Sequence, residues 1–264
     1  MKIATLNINS VNARLSNLCG WLRDNQPDVM MLQEIKCEFN NFPFFDVQTL
    51  GYDVKVLGQK SYNGVAILSR HKLNVCAENL PDFPDENARY LECEVYINNK
   101  PYTVASLYLP NGNPPYNKPD DTSKLTYKLG WMDAFLRRAE KLRMADKNVI
   151  LAGDYNVILS DDDVYNPELF RDNALFIPPV QNKLKLLLRS GYADCFRALH
   201  PTGNGYTFWD YTGNALQNDL GMRIDYILVS PQLSDRLLNC KTDKAFRAME
   251  KASDHTILTA EFKD

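Results

Sequence analysis

The sequence predicts an α/β fold in which sheets of mixed strand direction are flanked by helices, and two observations predict it. Short apolar runs of strand length recur along the chain at Lys2 to Ile8, Asp28 to Glu34, Gly64 to Ser69, Tyr102 to Tyr108, Val149 to Asp154, Arg223 to Ser230 and Thr256 to Phe262. Amphipathic helical patterns fall between some of these runs, while others follow through short connections, and that mixture implies mixed directions. Neither G-x-G-x-x-G nor G-x-x-x-x-G-K-[ST] occurs, which argues against a plain βαβ nucleotide-binding domain.

Each helix has its own signal. Leu15, Leu18 and Leu22 follow i, i+3, i+7, on a helix that must end before Pro27. Leu125, Leu129, Met132, Leu136, Ala139 and Leu142 give a longer amphipathic helix, and Leu184, Leu187 and Leu188 mark a third. Between strand and long helix lies Pro110 to Ser123 (PNGNPPYNKPDDTS), whose prolines exclude helix and central strand, so an exposed loop is expected there.

The chain has 264 residues, enough for one large α/β domain or two small ones at about 150 residues per domain. With 45% hydrophobic and 24% charged residues it can bury a substantial core. Against 30 basic residues stand 33 acidic ones, a net charge of -3, so no global positive field attracts a polyanion. Affinity for nucleic acid must come from local basic residues or a bound cation. MKIATLNINS lacks the pattern of a secretory signal, and no apolar run is long enough to span a membrane. The six cysteines, Cys19, Cys37, Cys76, Cys93, Cys195 and Cys240, form no C-x-x-C pair and read as reduced core residues of a cytoplasmic protein.

Chemistry concentrates where apolar strands end. Asn7 and Asn9 close the first run, Glu34 closes MMLQE, Asp154 and Asn156 close VILAGDYN, Asp225 interrupts RIDYILVS, and Asp254 with His255 opens the last strand. A carboxylate abutting an apolar strand is costly unless it is paired, hydrogen-bonded or bound to a cation. Several of them on one sheet edge would form the oxygen-rich cluster that magnesium needs, since it binds one or two carboxylates, waters and substrate phosphate oxygens. That inventory suits metal-assisted hydrolysis of a phosphodiester. Serine chemistry is disfavoured because G-x-S-x-G is missing.

Each residue also has a structural reading. Gly-Asp-Tyr-Asn is ordinary turn composition. Glu34 has Lys36 nearby as a surface partner, and Asp225 has Arg223 as a buried one. His255 alone suits a capping or core role, and Phe208, Trp209 and Tyr211 suit a core.

In order, LNIN, LQEIK (Leu32 to Lys36), NGVAILS (Asn63 to Ser69), SLYLPNG (Ser106 to Gly112), GDYN (Gly153 to Asn156), YTFWDY (Tyr206 to Tyr211), GMRIDYILVS (Gly221 to Ser230) and SDH (Ser253 to His255) resemble the exonuclease III family of AP endonucleases, within the DNase I-like endonuclease/exonuclease/phosphatase superfamily. The resemblance runs over nearly the whole chain. It implies a four-layer α/β/β/α sandwich, two mixed β-sheets face to face with helices on the outer faces, as a single domain over residues 1–264. It implies Glu34 as principal metal ligand, with Asn7, Asn9 and Asp254 beside the ion, and magnesium or manganese as one or two ions. Asp154, Asn156, Tyr108, Asp225 and His255 take catalytic roles: a water-activating or leaving-group carboxylate, phosphate-orienting donors, and a carboxylate that holds an imidazole. Phe208, Met222 and Ile224 fall at the abasic-pocket positions, and Tyr62, Arg89, Asn111 and Lys36 at positions that contact the DNA backbone or groove.

The family's usual NGLRA after the first strand is Asn9, Ser10, Val11, Asn12, Ala13 here, so one basic backbone contact is absent. The implied partner is double-stranded DNA with abasic sites or blocked 3′ ends, acted on by a monomer that uses no membrane. The implied activities are cleavage 5′ to abasic sites, 3′-end cleaning and 3′-5′ exonuclease action. Rival readings are a phosphatase for inositol phosphates or sphingolipids, which shares the acidic core but needs a membrane-facing loop not seen here, RNA tail trimming, and a non-catalytic DNA-binding module.

Overall fold

Two six-stranded sheets form, each built around one parallel pair with antiparallel strands outside it. The computed structural model describes residues 1–145 and 147–263. The first sheet runs β13 (Leu237–Asp243), β14 (Ile257–Phe262), β1 (Lys2–Asn7), β2 (Val29–Gln33), β4 (Val65–Ser69), β3 (Asp53–Leu57). The second runs β5 (Leu73–Glu78), β6 (Tyr90–Ile97), β7 (Lys100–Tyr108), β8 (Asn148–Asp154), β12 (Asp225–Val229), β9 (Ala193–Asp194). A short ribbon pairs β10 (Phe208–Trp209) with β11 (Gly221–Met222).

Parallel neighbours require a crossover, and each sheet makes its own with a helix: α1 (Leu15–Asn25) joins β1 to β2, and α3 (Ser123–Met144) joins β7 to β8. Smaller helices follow: α2 (Phe44–Gln48), α4 (Pro178–Arg189), α5 (Cys195–Leu199), α6 (Pro231–Ser234) and α7 (Lys244–Arg247).

Strand alternation sorts the core into layers. Ile3, Val29, Met31, Val65 and Ile67 of the first sheet meet Leu91, Val104, Ile150 and Ile227 of the second. The intervening residues face outward: Ala4, Leu6, Met30 and Leu32 pack on Leu18, Trp21 and Leu22 of α1. On the other side Leu107, Leu151 and Leu228 pack on Trp131 and Phe135 of α3 and Leu184 and Leu187 of α4. The result is the expected α/β/β/α sandwich, in which each fully buried aliphatic side chain contributes about 1.5–3 kcal/mol of transfer free energy.

Every apolar run read as a strand is one. The strands not read are β3, β5, β6, β9, β10, β11 and β13; β9, β10 and β11 have only two residues each, and the longer ones have physical reasons to hide. β3 alternates buried and half-buried residues, and β5 is largely exposed at a sheet edge. β6 buries Glu92, whose carboxylate takes two bonds from Arg138 at 2.5 and 2.9 Å, so a charge interrupts the run. On α3 the buried face is Trp131, Met132, Ala134, Phe135, Ala139, Leu142 and also Lys128, while Leu125, Leu129 and Leu136 are only partly buried. The segment from Pro110 carries no strand or helix until Ser123 opens α3. All six cysteines are free; Cys37, Cys93, Cys195 and Cys240 are buried as expected, but Cys76 is exposed on edge strand β5.

Candidate active site

Along the inner face of the central strands, side chains turn from apolar to polar toward one end. The sequence of residues is Ile3, Thr5, Asn7 in β1 and Val29, Met31, Gln33 in β2. In the second sheet it is Val104, Ser106, Tyr108 in β7, Ile150, Ala152, Asp154 in β8, and Val229, Ile227, Asp225 in antiparallel β12. Register places Asn7 opposite Gln33, Tyr108 opposite Asp154, and Asp154 opposite Asp225. A period of two in five strands therefore delivers the polar ends to one edge of both sheets. Gln33 ties the sheets just beneath, donating to Thr5 at 3.1 Å and Ser106 at 3.0 Å.

Above that strap, the Asn7 amide donates to Oε1 of Glu34 at 2.8 Å and to Oδ2 of Asp154 at 3.0 Å, joining one carboxylate from each sheet. Gly153, φ +154°, lets β8 lie close against β7 just before Asp154: a Cβ there would lie 1.9 Å from the Leu107 carbonyl oxygen. Asp154 also accepts from the Asn156 backbone N–H at 2.9 Å and side chain at 3.3 Å. Its Oδ2 lies 3.8 Å from Nε2 of His255, whose Nδ1 is 2.8 Å from Oδ2 of Asp225. The other Asp225 oxygen is buried without a partner. Arg223 is therefore not the partner of Asp225; its guanidinium goes instead to Asp163 at 2.6 Å and Asp194 at 2.7 Å.

Burial disfavours a charge on His255, but the Asp225 carboxylate, its hydrogen bond and Asp154 outweigh that and raise its pKa to about 10. The ring is then an imidazolium with a hydrogen on each nitrogen. Burial raises Asp154 to about 7, His255 opposing and Asp225 adding to the shift. Burial and the carboxylates of Glu34 and Asp154 push the Tyr108 phenol well above its usual value, so it stays a donor. Arg89 stacks over the Tyr108 ring at 4.7 Å and donates to the Tyr108 carbonyl at 3.2 Å. Asn111, at the root of the long loop, reaches Oδ1 of Asn156 at 3.3 Å.

On the other side of Glu34 the chain of contacts continues. Oε2 of Glu34 lies 2.9 Å from the Lys36 ammonium, which also donates to Oδ1 of Asn9 at 2.6 Å, and the Asn9 amide donates to Asp254 at 3.0 Å. Burial works against the Glu34 charge, but Asn7 and Lys36 hold its pKa below the ordinary carboxylate value. Lys36, expected at the DNA backbone, thus sits within the acidic cluster. Among the described residues no three acidic or histidine side chains converge into a ready-made cage. The set fits a hard divalent ion nonetheless: Glu34, Asn9 and Asp254 offer oxygens only, and two of these residues already hold a positive charge in the Lys36 ammonium. An ion that keeps waters and takes substrate oxygens asks for no more protein ligands than this.

Phe208 and Met222, paired across the β10–β11 ribbon, line a cavity of about 320 Å³ with Tyr165, Phe170 and Leu220. Ile224 is buried behind it, packed with Ile158, Val164 and Phe176. The Phe208 ring meets His255 edge-on at 5.0 Å, so the cavity wall and the imidazole touch. Tyr62 is 71% exposed, and Arg89 and Asn111 line a second hollow of about 300 Å³ with Lys124 and Tyr127.

Several contributors went unread in the sequence. Arg14, just past the position where Asn12 replaces a basic residue, donates to the Asn9 carbonyl and to the Tyr211 hydroxyl at 3.1 Å. Thr207 caps the backbone N–H groups of Ile224 and Asp225 at 3.2 and 3.1 Å, and Ser253 donates to the Asn7 carbonyl at 2.7 Å. Thr207 and Ser253 lie inside recognised blocks, and Arg14 just past one, and only that placement could have marked them.

Three comparisons bear on this geometry. Residues 4–255 match the model of the Endonuclease/Exonuclease/phosphatase family. Exodeoxyribonuclease III of Haemophilus influenzae is 32% identical, with all of both chains covered. Among solved structures, an AP endonuclease from Archaeoglobus fulgidus superposes with TM-score 0.92 at 33% identity, and a 3′ phosphatase from Neisseria bound to product DNA hairpin with TM-score 0.91 at 35%, both covering all of each chain.

Proposed function

The chain belongs to the Endonuclease/Exonuclease/phosphatase family, and we propose that it is a metal-dependent DNA repair nuclease that cuts the backbone 5′ to abasic sites and clears blocked 3′ ends. The observation that carries this reading is the contact between Phe208 of the apolar cavity and His255 of the acidic cluster, 5.0 Å between rings. A baseless sugar turned into the cavity leaves its phosphate beside the imidazole, and the apolar rings and side chains of Tyr165, Phe170, Phe208 and Met222 suit a sugar that has lost its base.

The residues divide the work. His255, held by Asp225, donates from Nε2 to a phosphate oxygen, and Asn156 and Tyr108 are the other donors. Asp154, whose oxygens receive only amide hydrogens from Asn7 and Asn156, stands open to the proton of the attacking water. Glu34, Asn9 and Asp254, with Asn7 setting their orientation, would hold the ion, which we take as magnesium; when bound it supplies charge neutralisation at the phosphate and leaving oxygen. Arg89, Asn111 and Tyr62 grip double-stranded DNA around that centre.

Every group comes from one chain, so the reading needs no second subunit, and the core shared between the sheets supports treating residues 1–264 as one domain. Free cysteines suit a reducing cytoplasm. Among the described residues no helix is long and apolar enough to cross a membrane.

The test is a labelled duplex with one abasic site, incubated with magnesium or with chelator, beside an intact duplex and an inositol phosphate. Metal-dependent incision at the abasic site is expected, and Glu34→Gln abolishes it without unfolding the protein. Full cleavage by that variant removes the metal role, and preference for the inositol phosphate removes the DNA reading.

A further inference from the structure

Lys128 is fully buried where the buried face of α3 begins, and neither the family comparison nor the reading above gives it a task. Its ammonium donates to three backbone carbonyls: Asn156 at 2.6 Å, Asn111 at 2.9 Å and Ala174 at 3.0 Å. Those carbonyls belong to three different segments. Asn156 follows β8 in a left-handed conformation, φ +48°; Asn111 roots the Pro110 to Ser123 loop; Ala174 precedes α4.

We propose that Lys128 is a positioning residue for phosphodiester cleavage, a three-way clamp that locks the Asn156 turn and ties the DNA-gripping Asn111 loop to it. This rests on the reading above, in which Asn156 and Asn111 touch the substrate.

The surroundings are shaped for it. Gly112, φ +89°, leaves room for the lysine stem, because a Cβ there would lie 2.6 Å from Cδ of Lys128. Asn113 laces the same two loops together, donating to Asn173 Oδ1 at 3.1 Å and accepting from the Ala174 N–H at 2.9 Å. An ammonium has three hydrogens for three carbonyls, and no neutral side chain of this shape offers three. Burial pulls the lysine pKa down, Asp154 opposes it, and the three carbonyls favour the charged form that alone can serve all of them.

The experiment compares wild type, Lys128→Ala and Lys128→Met on abasic duplex in magnesium, with active sites counted by a single-turnover burst. Folded variants are expected to lose roughly 10²-fold in kcat per active site, as for a reacting group displaced by about 1 Å. Propylammonium, which restores the missing stem and its N–H donors through the hollow beside Asn111, raises kcat of Lys128→Ala saturably. Tetramethylammonium at equal ionic strength, with charge but no N–H, does not. Wild-type kcat in a folded variant, or a loss that tracks only the folded fraction and ignores propylammonium, overturns the clamp. Should neither variant fold, Gly112→Ala, which pushes the lysine stem aside, must show the same kcat loss, and a normal kcat there overturns it too. An inert wild type instead overturns the functional reading itself.

Discussion

The Lys36 ammonium sits 2.9 Å from Oε2 of Glu34, inside the cluster that faces substrate, so the chain carries its own cation where an ion would bind. Without metal, that ammonium holds the side chains of both Glu34 and Asn9. Lys36→Met should therefore lower the melting temperature in chelator by a few degrees, about 1 kcal/mol for a protein of this size, and magnesium should restore more of the loss than it adds to wild type. Thermal melts with and without magnesium check this; equal metal shifts in the two proteins would count against the stand-in role.

Asp225 and His255 behave as one unit. Asp225 offers His255 one oxygen at 2.8 Å and keeps the other buried and unpartnered, and its carboxylate stabilises the imidazolium. Asp225→Asn should cost roughly 10²–10⁴-fold in kcat with little change in KM, because the donor is lost from the transition state rather than from binding. Adding His255→Ala to that variant should cost little more. Steady-state kinetics of the two single variants and the double variant give the coupling, and additive losses would show that the residues act separately.

The buried ions behind the cavity make a stability prediction with a definite pH sign. Asp163 accepts from Arg223 at 2.6 Å and Arg197 at 2.5 Å, and its backbone carbonyl accepts the Arg223 N–H at 2.8 Å, fixing the strand that carries Met222. Burial opposes the Asp163 charge, but the two guanidinium groups hold its pKa below the ordinary value. A folded pKa below the unfolded one means stability fully present above the unfolded value, near 3.9, and lost as pH falls through the folded value. Asp163→Asn should cost about 3–5 kcal/mol at pH 7, and its deficit should shrink under acid. Urea midpoints across pH decide it, and a deficit that persists at low pH would point to packing instead.

Legibility followed burial. β1, β2, β4, β8, β12 and β14, and the inner stretch of β7, are buried on nearly every residue and read as apolar runs, whereas β5 and β13 mix exposed residues into the pattern, edge strand β3 half-buried ones, and β6 a buried charge. The polar strand ends were visible as types, and the family resemblance put them in one site, but their partners depend on register between distant strands. Arg223, two residues from Asp225, looked like its counter-ion, yet it lies in the gap between β11 and β12 and turns to Asp163 and Asp194, and the partner of Asp225 is His255, thirty residues on. Lys128 was invisible for a related reason: on a helix a lone lysine reads as solvated, and only the three carbonyls converging from elsewhere make its burial tolerable.

Phe208 forms part of the cavity wall and packs on the imidazole, so it should govern which sugar is cut as well as how fast. A phenyl ring there narrows the slot against an intact nucleotide while leaving room for a bare sugar. Phe208→Ala removes that obstruction and also loosens His255. Its kcat/KM on abasic duplex should fall, and the ratio of abasic to intact cutting should drop about tenfold or more. Competition between the two duplexes in one tube measures the ratio directly. A variant that slows equally on both would place Phe208 beneath the imidazole as support only, and discrimination would have to come from Met222 and the remaining wall.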